Sequence, residues 1–298
     1  MKILGCEVLT ATLEAWSKIF VDHKEPFFLN PESRALLPNT ISRAELKKSL
    51  EFSDAYFMYS IPSEASVVVM LEPKEFRSFS RELQSELIAL QVRFHRGQIY
   101  DLEFVRMVMD EIPAFLEPDV FNNNFVLHFD TWNAFTPEIR HRWLAAYVSI
   151  DREDCLSSQM PENTWVQLEK QVRLLAGTFS NSSGANCFAT VIAGLTPDLE
   201  DSKQISQTWM LEHEFLEALE IRGFRDSGKL ELPVKPNSVI TWHTSKLIHA
   251  CLVLEFDLVL NKDAQSWFAP RQILRLESVL KSWEQDASDV RVWTLEHV

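Results

Sequence analysis

Two residues in the C-terminal half of the chain have the types and surroundings needed for nucleophilic catalysis. Cys187 follows a loop of small polar residues, 178–186, and opens a compact apolar segment that we predict to be a buried helix. A helix N-terminus favours negative charge, and a thiol is a strong nucleophile only as the thiolate. His249 begins an apolar run that we predict to be a strand, and its imidazole is a candidate base. The pair therefore indicates a cysteine nucleophile assisted by a histidine.

A catalytic histidine also needs a third residue to orient its imidazole. The strand from His249 and the strand after it form a predicted hairpin with a three-residue turn centred on Glu255. In that register His249 lies opposite Asn261, on the same face of the sheet. A slip of one residue would offer Lys262, which cannot accept a hydrogen bond, and a slip of two would offer Asp263. We expect Asn261 to be the third member and keep Asp263 as the alternative.

The loop before Cys187 also contains groups suited to binding an oxyanion. Backbone N–H groups and side-chain amides are typical donors in such sites. Asn186 directly precedes the cysteine, and Asn181 lies a few residues upstream. We expect both as auxiliary residues, with a simple turn role as the alternative for Asn181.

Other candidate residues have simpler structural explanations. Cys251 shares the predicted sheet face of His249, where a small side chain fills the core. His243 is the nearest rival base, but it ends a strand and is expected to be exposed. His213 and Glu217 lie at i and i+4 on a predicted helix, with no third metal ligand in sight. We therefore predict no metal site.

The composition narrows the classes of function. The chain has 298 residues, 46% of them hydrophobic, and a net charge of −14. Acids outnumber bases 43 to 29, whereas contacts with nucleic-acid phosphates need a basic face. Walker A, Rossmann, nucleophile-elbow and HExxH motifs are absent from the sequence. We expect a protein with no cofactor and no nucleic-acid partner.

The sequence indicates neither export nor membrane insertion. Its N-terminal apolar stretch is short and is interrupted by Glu7 and Glu14, unlike a signal peptide. No window approaches the roughly 18 uninterrupted apolar residues of a membrane span. We expect a cytoplasmic protein without a membrane partner and, in that reducing compartment, free thiols. No disulfide-framework spacing connects the four cysteines, Cys6, Cys155, Cys187 and Cys251.

Helical and strand periodicities predict two domains. The first, 1–155, is a mixed α/β domain of unknown role, and the second is 156–298, with a polar boundary stretch near 151–164. In the first domain Ser42 and Glu45 form a capping-box pattern. The predicted helices cover 11–20, 45–51, 80–94, 136–148, 165–175, the segment from 187, and 209–220. The predicted strands cover 66–71, 125–129, 239–242, 249–254 and 257–261.

The order of residues in the second domain follows a known pattern. A turn and strand, Pro-Asn-Ser-Val-Ile-Thr-Trp-His from residue 236, precede a short insert and then the segment His-Ala-Cys-Leu-Val-Leu-Glu-Phe-Asp-Leu-Val-Leu-Asn, 249–261. With a cysteine opening a buried helix upstream, this pattern resembles the end of the NlpC-type papain-like fold, from about Asn181 to Gln272. The resemblance implies an α+β C-terminal domain whose cysteine-bearing helix packs on an antiparallel sheet. It also implies Cys187 as nucleophile, His249 as base and Asn261 as the orienting residue.

The function expected from these residues is a cysteine-dependent amide hydrolase or acyltransferase of peptidase or amidase type. Cys187 would attack a carbonyl of a peptide, a small-molecule amide or an acyl compound, while His249 takes and returns the proton. The nucleophile segment reads Asn-Cys-Phe-Ala, where the family usually has Asp-Cys-Ser-Gly. The alternative is therefore a non-catalytic papain-like scaffold that serves as a protein-binding module.

Overall fold

The fold is described by a computed structural model that covers residues 1–37, 39–49, 61–109, 111–150, 152–181 and 183–296. The chain divides into the unit Val8–Ile150 and a second unit made of Asp151–Val298 together with Met1–Glu7. The predicted boundary at 155–156 lies slightly beyond this division, and no sequence signal pointed to the N-terminal segment as part of the second unit. That segment is a small hairpin of β1 (Lys2–Ile3) and β2 (Cys6–Glu7).

The unit Val8–Ile150 combines short antiparallel sheets with helices. One sheet has the order β3-β5-β4, from β3 (Glu25–Leu29), β4 (Ile41–Ser42) and β5 (Val67–Leu71). Another has the order β6-β8-β7, from β6 (Ile99–Asp101), β7 (Val120–Phe121) and β8 (Asn124–Val126). The helices are α1 (Thr10–Ile19), α2 (Arg43–Ser49), α3 (Pro73–Ser78), α4 (Arg81–Arg93), α5 (Leu102–Val108), α6 (Phe129–Ala134) and α7 (Pro137–Ser149).

Local signals predicted only part of this unit, namely α1, α2, α4, α7, β5 and β8. The capping box before α2 is formed, because Ser42 N donates to Glu45 Oε2 at 2.7 Å and Glu45 N donates to Ser42 Oγ at 3.1 Å. The last two residues of the predicted helix 45–51 lie outside the described part of the chain. The predicted strand 125–129 is wrong beyond Val126, because the buried His128 bonds Glu25 at 3.0 Å and precedes a helix instead.

The second unit is built around a sheet of six antiparallel strands among the described residues, in the order β13-β12-β11-β10-β14-β9. The α+β class and the antiparallel sheet packed against the cysteine-bearing helix are confirmed. Its strands are β9 (Phe224–Lys229), β10 (Val239–His243), β11 (Leu247–Val253), β12 (Leu258–Lys262), β13 (Arg271–Arg275) and β14 (Asp289–Leu295). Its helices are α8 (Glu162–Trp165), α9 (Lys170–Leu175), α10 (Cys187–Gly194), α11 (Leu199–Ile205), α12 (Glu212–Ile221) and α13 (Leu276–Ser282).

Two predicted helices of this unit have different bounds in the structure. The segment 165–175 is broken into α8 and α9, because a turn carries the side chain of Leu168 into the core, where it is 5% exposed. The helix predicted over 209–220 begins only at Glu212, because the Glu214 carboxylate accepts from Leu211 N at 2.7 Å and caps it there. No helix of the described residues is long and apolar enough to cross a membrane.

The two faces of the six-stranded sheet carry separate hydrophobic clusters. On one face, Ala250 and Leu252 of β11 pack with α10 residues such as Val191. On the other face, Cys251 and Val253 pack with residues of α13. Successive side chains of a strand point to opposite faces, so this packing determines the side on which every residue of β11 lies.

Helix α10 approaches the sheet closely because its last residue has no side chain. A Cβ on Gly194 would lie 2.8 Å from Leu252 Cδ2 and 3.0 Å from Leu260 Cδ2, so the two buried leucine side chains would have to shift to admit it. We expect Gly194→Ala to lower the free energy of unfolding by about 1–3 kcal/mol, since overpacking outweighs the gain in helix propensity. Urea unfolding of both proteins measures this change. The penalty should shrink in a Leu252→Ala background, and an unchanged or raised stability of Gly194→Ala alone would contradict the packing.

Candidate functional site

Helix α10 begins at Cys187 because Asn186 caps it. Asn186 Oδ1 accepts a hydrogen bond from Ala189 N at 3.1 Å, as an N-cap side chain does. Its Nδ2 donates to Met210 O at 2.7 Å, and the residue is 1% exposed. Both ends of this amide are engaged within the fold. The structure therefore gives Asn186 a capping role in place of the predicted role in binding an oxyanion.

The Cys187 thiol is buried at the start of α10. Burial raises its pKa to about 11, although backbone N–H groups of Ala250 and Phe188 and the positive charge of Lys262 oppose the rise. The residue is only 8% exposed. Desolvation therefore raises the thiol pKa by more than the helix N-terminus lowers it, and the thiol is protonated near neutral pH.

The ring of His249 is enclosed by two tryptophans. It stacks on Trp283 with ring centroids 4.2 Å apart and an interplanar angle of 11°, and Trp242 lies 5.2 Å away. The residue is 1% exposed. Burial lowers the pKa of His249 to about 4, opposed by the Asp263 carboxylate and by the hydrogen bond with Asn261. The imidazole is therefore neutral near pH 7.

His249 and Asn261 are brought together as the sequence suggested. His249 Nε2 lies 2.8 Å from Asn261 Oδ1, and since the amide oxygen can only accept, Nε2 of the neutral ring carries the proton and donates. Asn261 is 2% exposed. The contact orients the ring in the way expected of a third member.

The hairpin register that predicted this contact is nevertheless wrong by two residues. The structure pairs Val253 with Val259, so the turn is centred on Phe256 and Asp263 comes opposite His249 when the register is extended. A shift of two residues preserves the face on which a side chain lies. Asn261 therefore stays on the His249 side and reaches the ring diagonally.

The structure does not bring Cys187 and His249 together. Ala250 faces α10, and His249 lies with Cys251 and the two tryptophans on the α13 face. A β-bulge between Trp242 and His243 lies at the end of β11 where His249 sits. The Cys187 thiol, which receives the backbone N–H of Ala250, and the His249 ring thus belong to opposite faces of the sheet. No hydrogen bond joins Cys187 and His249 among the described residues, and the catalytic pairing of the two stays a prediction.

The remaining predicted site residues divide between the two faces. Asn181 is exposed, and its backbone N donates to Gln207 Oε1 at 2.9 Å, which suits a turn residue. Asp263 is partly exposed and lies 4.0 Å from Arg152 Nε. Asp263 and Asn261 line a pocket of about 120 Å³ on the α13 face, together with Arg152 and Gln272. The structure thus groups Asn261, Asp263 and His249 and leaves Cys187 apart.

Two buried cations of the second unit, Lys262 and Arg271, have a structural role that the sequence did not indicate. Lys262 is 1% exposed, and its Nζ donates to the carbonyl oxygens of Ala264, Ser266 and Ala269 at 2.6, 3.0 and 2.7 Å. Arg271, also 1% exposed, donates to Thr178 Oγ1 at 3.1 Å. Burial lowers the pKa of both groups. Charged residues in strands are usually exposed, so the sequence carries no signal for these positions.

The chain was compared with protein-family models, curated proteins and solved structures. No protein-family model, curated protein or solved structure matches this chain. The resemblance to the NlpC-type fold rests on the pattern of residues 236–261 and on the cysteine-bearing helix.

Proposed function

We propose that the second unit is a papain-like scaffold that binds a protein partner and does not use a Cys187–His249 pair. The observation that supports this is the position of His249, stacked on Trp283 on the α13 face while Cys187 lies on the α10 face. A general base must come within about 3 Å of the proton that it abstracts. The His249 ring stacks on Trp283 on the α13 face, so it would have to leave this packing to reach the Cys187 thiol.

The surface best suited to a partner is a groove at the β9–β14 side of the sheet. It has a volume of about 650 Å³ and is lined by Pro233, Val234 and Pro236 and by Leu295 of β14. Strand β9 forms that edge of the sheet. Extended peptides typically bind along an exposed edge of a sheet, and this groove offers both apolar and polar side chains beside such an edge. The groove therefore suits an extended segment of another protein.

The charges around the groove indicate the kind of segment. Lys229 and Lys235 line it together with Glu231, a local excess of positive charge on a chain with a net charge of −14. Complementary charge steers encounter and selects partners. The partner that we propose is an extended peptide with alternating apolar and acidic residues.

A labelled decapeptide tests this surface directly. We expect fluorescein-(Leu-Glu)5 to bind the full chain in an anisotropy titration, and (Leu-Lys)5 to bind at least tenfold more weakly. The double variant Lys229→Glu/Lys235→Glu should lose the binding. The matched variant Lys203→Glu/Lys281→Glu changes exposed lysines outside the groove and should bind as the wild type does. Equal affinity for both peptides, no binding of either, or an unaffected groove variant would contradict the proposal.

A second candidate function is the cysteine-dependent amide hydrolase or acyltransferase expected from the sequence. The observation that favours it is the setting of Cys187, whose sulfur receives N–H groups at the start of α10 and lies near the positive charge of Lys262. In this proposal Lys262 would stabilise the thiolate in place of His249. Its substrate would be a peptide or a small-molecule amide or acyl compound. The labelling rate of Cys187 distinguishes the two candidates.

A further inference from the structure

Two cysteines far apart in sequence lie close together in the second unit. Cys6 lies in β2 of the N-terminal hairpin, and Cys155 N donates to Leu4 O of the same hairpin at 2.8 Å. Cys6 Sγ also donates to Leu4 O, at 3.4 Å, so both cysteines bond the same carbonyl and lie side by side. They are 1% and 0% exposed and belong to one hydrophobic cluster. Both are free thiols, and no disulfide joins them.

The surroundings of the two sulfur atoms differ. Cys155 Sγ accepts from Ile273 N at 3.3 Å and lies 3.1 Å from Ser157 Oγ, while the Cys6 thiol lies 3.4 Å from Leu4 O. The hydrogen bond from Cys6, together with those from Ser157 and Ile273, lowers the pKa of Cys155 to about 6 despite its burial. The same contact and burial raise the pKa of Cys6. The pKa of Cys155 is thus lowered and that of Cys6 raised, and this direction favours Cys155 as the thiolate of the pair.

This asymmetry sets the pair apart from the other cysteines. Cys187 and Cys251 are also buried, and burial raises the pKa of each. A buried thiol of that kind is an inert core residue. Reactive thiols need thiolate character, and redox sites need a second sulfur beside the first. Cys155 and Cys6 supply both.

We propose that Cys6 and Cys155 form a redox site at which hydrogen peroxide produces an intramolecular disulfide. The Cys155 thiolate attacks one peroxide oxygen, so an S–O bond forms, the O–O bond breaks and hydroxide leaves. The Cys6 sulfur then attacks the sulfenic acid, the S–S bond forms, the S–O bond breaks, and the Cys6 proton leaves with the hydroxide as water. Two sulfurs are oxidised and the peroxide is reduced to water. The product ties the N-terminal hairpin covalently to the rest of its unit.

Hydrogen peroxide can reach the buried Cys6 and Cys155 sulfurs through a local opening of the N-terminal hairpin. Cys6 is carried by a hairpin whose strands hold two residues each, which is little pairing to hold it closed. Hydrogen peroxide is small enough to reach the sulfur after a local opening of this hairpin. The six-stranded sheet does not need to open, because the hairpin is a separate two-stranded sheet.

Peptide mapping of the full chain after exposure to hydrogen peroxide tests the proposal. The folded protein is oxidised at pH 7, its remaining thiols are blocked in denaturant, and a non-reducing digest is analysed by mass spectrometry. We expect a Cys6–Cys155 disulfide that dithiothreitol reverses, forming at least tenfold faster than any oxidation of Cys187 or Cys251. The variants Cys187→Ser and Cys251→Ser should form the same disulfide at the wild-type rate.

Single variants of the pair separate its two roles. Cys6→Ser should leave Cys155 as a sulfenic acid that dimedone traps, whereas Cys155→Ser should show no adduct at residue 6. If Cys155→Ser does not fold, the wild-type mapping and the Cys6→Ser adduct still decide the question. A folded wild-type protein that forms no Cys6–Cys155 bridge under excess peroxide would overturn the proposal. So would a dimedone adduct on Cys187 in place of Cys155.

Discussion

We expect Cys187 to resist iodoacetamide as long as the protein is folded. With a pKa of about 11, only about one Cys187 thiol in ten thousand is ionised at pH 7, against about one in thirty for a free thiol with a pKa of about 8.5. Ionisation alone should therefore slow alkylation by roughly 300-fold, and burial should slow it further. Limiting reagent followed by peptide mapping measures the rate at each cysteine.

The comparison that makes this test decisive is the same labelling in denaturant, where all four thiols should react alike. The sequence pattern alone predicts the opposite result, with Cys187 the fastest of the four in the native state. If native Cys187 reacts first, and Lys262→Met slows that reaction, Cys187 is an activated nucleophile. That outcome would support the enzyme and contradict the scaffold proposal. Slow native labelling leaves Cys187 as a core residue that opens α10.

We expect His249→Ala to lower the free energy of unfolding by about 3–5 kcal/mol, a loss typical of large buried side chains. The substitution removes a ring stacked on Trp283 and leaves Asn261 Oδ1 without its donor, and both are buried. Urea unfolding measures the loss. The native labelling rate of Cys187 should stay low, because the two residues belong to opposite faces of the sheet. Unchanged stability together with altered Cys187 reactivity would show that His249 acts on the thiol.

The same histidine should make stability depend on pH. Its pKa is lowered to about 4 in the folded state from about 6.5 when unfolded, so between these values the unfolded chain binds the extra proton. The stabilisation is complete above pH 6.5 and is lost as pH falls towards 4, with a maximum of about 3 kcal/mol. His249→Phe keeps an aromatic ring but cannot titrate, so its stability should change less over this range. A parallel pH profile for His249→Phe and wild type would exclude His249 as the cause.

Several features of this protein could be predicted from sequence because their causes are local. The Ser42–Glu45 capping box, the start of α10 at Cys187 and the strands on either side of residues 254–257 follow from residue types a few positions apart. The contact between His249 and Asn261 also follows from the alternation of side chains in a hairpin. It survived an error of two residues in the register, because such a shift preserves the face.

Only the tertiary structure decided whether these residues meet in a site. Alternation places His249 and Ala250 on opposite faces of β11, but it does not say which face α10 will cover. That choice is made by long-range packing, in which Gly194 lets α10 approach Leu252 and Leu260 while Trp283 covers His249. The proximity of Cys6 and Cys155 has no sequence signal either, since it depends on the hydrogen bond from Cys155 N to Leu4 O, between segments at opposite ends of the first 155 residues. Contacts of this kind join residues far apart in sequence and depend on how the whole unit packs. A short stretch of sequence therefore cannot predict them.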